Sequence, residues 1–436
     1  MTNPMTAPTA SVPTSVPVVA SPRRRGLTKL TGMLLAAAVF CVLMGLWHGK
    51  SGSASFDLSN TGDLFSIPDV KLPALLTCVV LGLVCAALAG FGIVRGFPAA
   101  RGTGPALLGT LAAIVSFLVW AGSGESTSAL DLVSLLGATV FLAVPLVLGA
   151  GAGIVSERTG VINVAIEGQM LGAAFLAAMT GTIAHNLYVG LAFGILAGVG
   201  VGALLGVFAT RYQVNQVVLG VVINLLILGL TTYLYSRMLQ PDSEGLNQPG
   251  IFHPISVPLL SRIPVIGPVL FSASILVYAT YVIVVVLHVM LFRSRWGLRT
   301  RAVGEHPRAA DTLGIAVNRL RFRNSLLAGA LAGVAGAYLS IGSVGAFGIN
   351  MSAGRGFIAL AAVIFGRWTP LGSVGAALLF AFCSALNNSL SILGTPVTIP
   401  NSLLGSLPYL VTLLVVAGVV GRSQAPAADG VPYTKA

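Results

Sequence analysis

Long apolar runs separated by short polar stretches dominate the chain. About twelve of these runs approach the ~20 residues that a helix needs to cross the hydrocarbon core of a bilayer. They lie at 30–47, 72–94, 104–121, 132–154, 161–183, 187–209, 216–237, 269–292, 324–344, 355–366, 371–393 and 405–421. The run at 355–366 is too short to cross alone and favours a half-helix or a re-entrant segment. The pattern predicts an all-α, polytopic transmembrane helical bundle.

Composition supports a membrane protein and argues against a soluble one. Hydrophobic residues make up 56% of the chain and charged residues 8%, with a mean hydropathy of +0.93. Soluble domains carry about 25% charged residues. The formal net charge of +12 could suggest nucleic acid. The basic residues lie between apolar runs, however, so membrane topology and anionic lipid explain them better, and we expect no nucleic-acid partner.

Eight arginines lie between positions 293 and 323, flanked on both sides by apolar runs. They are Arg293, Arg295, Arg299, Arg301, Arg308, Arg319, Arg321 and Arg323. Short basic loops of membrane proteins stay in the cytoplasm. Counting alternate spans from this loop places both termini in the cytoplasm, with Lys50, Lys71, Arg237 and Arg262 as exceptions to the charge rule. The sequence therefore predicts a multi-pass membrane protein.

The chain divides into four predicted parts. They are a disordered cytoplasmic tail at 1–28, additional N-terminal spans at 29–125, a core at 126–422 and a cytoplasmic tail at 423–436. The run at 30–47 is either a first span or a signal peptide cleaved near Ala54, and its length favours the span. Four cysteines, Cys41, Cys78, Cys85 and Cys383, lie inside apolar runs and are interpreted as small buried hydrophobic residues.

Sequence signals for catalysis are weak. The stretch from Gly45 to Ser51 resembles a phosphate-binding loop, but its two glycines are one residue too close. No His-Glu-x-x-His motif and no cysteine pair with zinc spacing occurs. We therefore expect a chain that is not an enzyme and holds no metal or cofactor itself.

Polar residues inside predicted spans mark candidate functional positions, because unpaired polar groups are costly in a bilayer. Asn163, Glu167 and Gln169 lie in the stretch 156–170, and Asn224 lies in the middle of another span. Asn163 and Glu167 are four residues apart, which predicts one helix face. Two interpretations stay open, a substrate pathway and buried hydrogen bonds between helices.

A glycine-rich interruption at 342–357 separates two late apolar runs. Broken helices with glycines at their ends commonly line substrate cavities in transporters. Phe347 and Phe357 are candidates for stacking on a planar ligand. An ordinary loop at the outer face is the alternative.

The segment 302–314 predicts a short helix held parallel to the membrane between two spans. Pro307 suits a first helical turn, and Gly314 suits a C-terminal cap. The small Ala309 and Ala310 would let this helix sit in a groove of another protein. The alternative is an ordinary basic loop.

Three stretches, 156–170, 303–315 and 356–372, resemble the permeases of nucleoside-type ABC importers in the branched-chain amino acid and simple sugar permease superfamily. The resemblance covers roughly residues 130 to 421 and implies a bacterial inner-membrane protein. It also implies cytoplasmic ATPase subunits that bind ATP and Mg²⁺, a second permease chain and an extracellular substrate-binding lipoprotein. The residues it implies for ATPase coupling are Glu305, His306, Pro307, Ala309, Ala310 and Asp311.

The function expected from this resemblance is ATP-driven uptake of nucleosides through a permease subunit. A simple sugar or a branched-chain amino acid is the alternative substrate. An ion-coupled secondary transporter and a membrane scaffold are alternatives of other classes.

Overall fold

The computed structural model describes residues 29–47, 52–59, 64–97, 103–123, 130–393, 405–406 and 424–435. The predicted tail at 1–28 lies outside the described residues. So does the predicted span at 405–421, apart from its first two residues.

Helices dominate the described residues, as predicted, and they are numbered in chain order. The longer helices are α1 (Lys29–Leu46), α2 (Ala74–Arg95), α3 (Thr103–Gly122), α4 (Leu132–Glu157), α5 (Ile166–Ile183), α6 (Leu187–Thr210), α7 (Gln216–Leu234), α10 (Ile275–Arg293), α11 (Arg295–Glu305), α13 (Val317–Ala337), α14 (Arg355–Phe365) and α15 (Pro370–Leu393). The short ones are α8 (Ser243–Leu246), α9 (Ile266–Leu270), α12 (Pro307–Thr312) and a 3₁₀ turn at Leu260–Arg262. Two π-helical turns, Tyr235–Leu239 and Tyr338–Val344, extend α7 and α13.

Five short strands accompany these helices. They are β1 (Ser53–Asp57), β2 (Val70–Pro73), β3 (Leu130–Asp131), β4 (Pro254–Ser256) and β5 (Ser272–Ser274). β1 pairs antiparallel with β2 and parallel with β3, and β4 pairs antiparallel with β5. The hydropathy pattern did not predict these strands, because each is only two to five residues long.

Eight of the described helices are long and apolar enough to cross a membrane. The prediction at 355–366 is confirmed as a helix of 11 residues. At 1.5 Å per residue it is about 16 Å long, roughly half of a 30 Å hydrocarbon core. The fold is therefore the all-α polytopic bundle that the apolar runs predicted.

The chain divides into two compact units. One comprises the described residues up to Trp47 together with the described residues from Ala74 to Leu118. Its core contains Ala38, Cys41, Cys85 and Ala112. All four cysteines of the chain are free and buried, which confirms their interpretation as small apolar residues.

The other unit comprises His48–Pro73 and Val119–Ala436, and α5, α6 and α13 form its centre. Glycine allows α6 and α13 to approach closely. A Cβ atom on Gly198 would lie 2.2 Å from the carbonyl oxygen of Gly329, and one on Gly329 would lie 2.3 Å from that of Gly198. Small residues at interhelical contacts permit such close backbone packing.

Three predicted boundaries were wrong. α5 begins at Ile166 rather than at 161, so Asn163 lies in an irregular segment and does not share a helix face with Glu167. α13 begins at Val317 rather than at 324, so the last three arginines belong to a helix. α10 begins at Ile275 rather than at 269, because β5 occupies the preceding residues. Hydropathy extended α5 and α10 over apolar residues that are not helical, and it left the basic first turns out of α13.

Candidate functional site

The segment after α10 forms two consecutive helices, α11 and α12, joined at His306. Pro307 occupies the first position of α12, and Gly314 follows α12 with a φ of +79°, which glycine adopts without strain. The predicted helix and its two boundary signals are confirmed. Trp296 Nε1 of α11 donates to Asn324 Oδ1 of α13 at 3.1 Å, and this bond fixes α11 on α13.

The two alanines of α12 face in different directions. Ala310 is 2% exposed and packs with Val303, Val317 and Tyr433. Ala309 is exposed. The prediction that both alanines sit in a groove of another protein is corrected for Ala310, because its side chain is part of this chain's own core. Leu313 is 81% exposed directly after α12 and adds an apolar contact that the sequence did not single out.

The arginines around these helices form a basic surface with one buried member. Arg293, Arg295, Arg299, Arg308, Arg319 and Arg323 are exposed. Arg321, in contrast, is 1% exposed. Its guanidinium donates to the carbonyl oxygens of Thr159 at 3.0 Å and of Val431 at 2.7 Å.

The stretch that follows α4 contacts the turn that follows α14. Trp368 Nε1 donates to Glu157 Oε2 at 2.6 Å, and Arg158 Nε donates to the carbonyl oxygen of Trp368 at 2.9 Å. A Cβ atom on Gly304 would lie 2.2 Å from the carbonyl oxygen of Arg158. The three sequence stretches at 156–170, 303–315 and 356–372 therefore meet in one place.

Glu167 connects α5 to the half-helix α14. Its carboxylate accepts from the backbone N–H groups of Gly354 at 2.8 Å and Gly356 at 2.6 Å. Gly354 precedes α14 with a φ of +80°, and a Cβ atom on Gly356 would lie 2.5 Å from the Glu167 nitrogen. A negative charge at a helix N-terminus satisfies free N–H groups and complements the helix dipole. Glu167 therefore anchors the N-terminal end of α14.

Asn163, Glu167, Gln169 and Asn224 form a polar junction around the start of α5. Asn163 Nδ2 donates to Gln169 Oε1 at 3.2 Å. Asn224 accepts from the Gly168 N–H at 2.8 Å and donates to the Val164 carbonyl oxygen at 2.9 Å. All four side chains are buried. In this conformation they hold the irregular segment before α5, as backbone without helix must be held inside a membrane.

The two phenylalanines differ in exposure. Phe347 is 2% exposed and contacts the rings of Phe175 and Tyr235, so this conformation does not present it to a ligand. Phe357 is 48% exposed. Of the two, only Phe357 offers its ring to a ligand here.

A cavity of about 240 Å³ lies between α4, α14 and α15. Its polar lining comes from Arg355, Ser384, Asn387 and Asn388. The Asn387 Oδ1 atom is buried and accepts no hydrogen bond from the described residues. These residues were not among the predicted site residues, although two adjacent asparagines in an apolar run are a signal of the same kind as Asn224.

The sequence also did not distinguish the buried Arg321 from the exposed arginines on either side of it. Arg319 and Arg323 are four apart and share one helix face, whereas Arg321 between them points to the opposite face. A helix start at Val317 would have revealed this separation. Among the described residues, no group of three or more His, Cys, Asp or Glu side chains could hold a metal ion.

Comparison with known proteins identifies the class. The model of the family described as "Branched-chain amino acid transport system / permease component" matches residues 135–416. The chain belongs to this family of ABC transporter permeases. It is a multi-pass membrane protein and a transport component, in agreement with the expectation that it is not an enzyme.

Individual relatives cover the same region. The guanosine ABC transporter permease protein NupQ of Bacillus subtilis is 37% identical over 325 residues, which are 70% of this chain and 99% of NupQ. The nucleoside ABC transporter permease protein NupC of Lactococcus lactis is 37% identical over 303 residues, 67% of this chain and 93% of NupC. The glucose ABC transporter permease protein TsgB13 of Haloferax volcanii is 28% identical over 256 residues, 55% of this chain and 65% of TsgB13. No solved structure matches significantly.

Proposed function

We propose that this chain is a permease subunit of an ATP-driven importer for nucleosides in the bacterial cell membrane, with both termini in the cytoplasm. The observation that carries the proposal is the meeting of the three family stretches at the end of α11, next to α12, on a surface with six exposed arginines. Such a basic surface is typical of the cytoplasmic side. The names of NupQ and NupC support a nucleoside as the substrate class.

The ATPase subunit docks on α12 in this proposal. Glu305, His306, Pro307 and Ala309 present the outer surface, together with Asp311 at its edge and Leu313 beside it. Ala310 contributes by fixing α12 on the chain's own core. ATP and Mg²⁺ bind to the ATPase subunit, and this chain holds neither.

The substrate passes beside α14. In this proposal Glu167 positions α14, and the other three side chains of the polar junction hold the segment before α5, rather than binding the substrate directly. The contacts of the junction to backbone groups support these roles. Arg355, Asn387 and Asn388 provide donors and acceptors for a nucleobase edge or a ribose hydroxyl. Phe357, and Phe347 in another conformation, supply rings for stacking.

Three further partners complete the proposed importer. A second permease chain, of a different sequence, forms the other wall of the pathway. An extracellular substrate-binding lipoprotein delivers the nucleoside. Membrane lipid contacts the exposed apolar faces of helices such as α7, where Val218, Leu225 and Leu226 are more than half exposed.

Uptake of radiolabelled guanosine in cells with and without this chain tests the proposal. We expect the deletion to abolish saturable uptake, and expression of the chain to restore it. Unlabelled nucleosides should compete with the label, whereas glucose and leucine should not. Competition by glucose alone would support a sugar permease, as the name of TsgB13 suggests for that relative. Unchanged uptake after deletion would contradict a nucleoside importer.

A further inference from the structure

Residues 424–435 run across the outer surface of α11, α12 and α13, and we call this segment the C-terminal strap. The Ala428 N–H donates to the Gly304 carbonyl oxygen at 2.8 Å. The Ala427 N–H donates to Glu305 Oε2 at 3.2 Å, and Asn318 Nδ2 donates to the Tyr433 carbonyl oxygen at 3.3 Å. The strap is therefore fastened at both of its halves.

Buried side chains hold the strap in addition to these bonds. Tyr433 is 8% exposed and packs with Val303, Ala310 and Val317. Arg321 donates to the carbonyl oxygens of Val431 at 2.7 Å and of Ala428 at 3.4 Å. A buried arginine requires such partners, because an unpaired buried charge is very costly. Packing of Tyr433 and hydrogen bonds from Arg321 thus hold the inner side of the strap in this position.

The strap and α12 form the two walls of a groove of about 470 Å³. Pro307, Arg308 and Ala309 line one wall. Val431, Pro432 and Thr434 line the other. Val431 is 51% exposed, so the outer side of the strap presents an apolar side chain next to the proposed ATPase surface.

We propose that the C-terminal strap is one wall of the ATPase docking site and that the groove receives an ATPase segment with an apolar and an acidic side chain. The inference rests on the proposed function. The groove is continuous with α12. Its lining is apolar apart from Arg308, His306, Thr434 and the Tyr433 hydroxyl, and the exposed Arg308 favours an acidic partner.

Two matched substitutions on the strap test this inference. Val431→Glu places a negative charge in the groove while leaving the Val431 backbone bond to Arg321 intact. Ala425→Glu makes the same charge change at an exposed strap residue outside the groove lining. The affinity of each purified permease complex for its ATPase is measured by titration in detergent, and its thermal unfolding is measured alongside.

We expect Val431→Glu to lower the affinity for the ATPase at least tenfold with an unchanged unfolding temperature, and Ala425→Glu to bind like the wild type. Wild-type affinity of Val431→Glu would overturn the inference, and so would an equal loss in Ala425→Glu. Absence of ATPase binding by the wild-type chain would instead contradict the proposed function itself, and the strap inference would fail with it.

Discussion

Glu167 and Arg321 are charged side chains that the fold buries against backbone groups. Glu167 accepts two N–H groups at the start of α14, and Arg321 donates to carbonyl oxygens of the irregular segment after α4 and of the strap. Hydrogen bonds to charged groups contribute about 1.5–3 kcal/mol each. At the residue scale, these two side chains fix segments that have few regular backbone hydrogen bonds of their own.

Replacing Glu167 by alanine leaves the N–H groups of Gly354 and Gly356 without their acceptor. An unsatisfied buried donor costs about 1–3 kcal/mol. We expect Glu167→Ala to lower the thermal unfolding midpoint by several degrees, measured by differential scanning fluorimetry in detergent, with Glu167→Gln between it and the wild type. The exposed Glu244 provides the control, and Glu244→Ala should unfold like the wild type. Equal midpoints for all four proteins would show that Glu167 does not anchor α14.

Asp429 gives the strap a dependence on pH. Burial raises the pKa of its carboxyl to about 7, against the opposing charge of Arg321. The docked strap therefore prefers the protonated form, and docking weakens as pH rises from the ordinary value near 4 towards 7.

A fluorophore on Thr434→Cys measures this effect, because Thr434 is exposed and the four native cysteines are buried. We expect the fluorescence anisotropy to fall between pH 4 and pH 7, and to level off above that range, as the strap becomes more mobile. Asp429→Asn should remove most of this fall. An unchanged pH response in Asp429→Asn would assign the dependence to another group.

At the element scale, glycines decide which helices pack closely. Gly198 on α6 faces the backbone of α13, whereas a Cβ atom on Gly200, two residues further along α6, meets nothing within 4 Å. The same residue type therefore has different roles on the two faces of one helix.

The pair Gly198→Ala and Gly200→Ala tests this difference. The added methyl group at Gly198 would lie 2.2 Å from the Gly329 carbonyl oxygen, so the helices must separate. Overpacking of this kind costs about 1–3 kcal/mol. We expect Gly198→Ala to lower the thermal unfolding midpoint and Gly200→Ala to leave it unchanged or slightly raised. Destabilisation by Gly200→Ala of the same size would contradict the packing of α6 on α13.

The sequence predicted an element well where residues at its ends carry conformational information of their own. Pro307 and Gly314 did so for α12. The start of α5 is the opposite case, since the buried irregular segment before it is as apolar as a helix. Hydropathy reports burial rather than backbone conformation, and it therefore extended the helix back to 161.

The candidate site could be predicted as a set of residues but not as a set of contacts. The sequence singled out Glu167 and Asn224, yet their partners are backbone groups far away in the chain, which no local pattern reveals. The strap residues carry no hydrophobic period, and Arg321 becomes distinct from Arg319 and Arg323 only once the helix is placed.

At the scale of the whole molecule, contacts lead from the end of α11, which joins α12 at His306, to α14. Gly304 contacts Arg158, Arg158 and Glu157 bind Trp368 after α14, and Glu167 holds the other end of α14. In the proposed importer, a displacement of α12 and of the adjoining end of α11 would reach the turn after α14 through Arg158. In the proposed importer, this continuity would couple ATP hydrolysis in the ATPase subunit to movement near the substrate.

Thiol-specific cross-linking in membrane vesicles tests most directly whether the ATPase subunit binds at α12. One variant carries Ala309→Cys on α12. The control carries Ile251→Cys, an exposed position in the segment that precedes α10, whereas α12 follows the C-terminal end of α10. We predict that Ala309→Cys forms a cross-linked product with the ATPase subunit and that Ile251→Cys forms none. A missing product at position 309, or labelling of that cysteine from outside intact cells, would contradict the account.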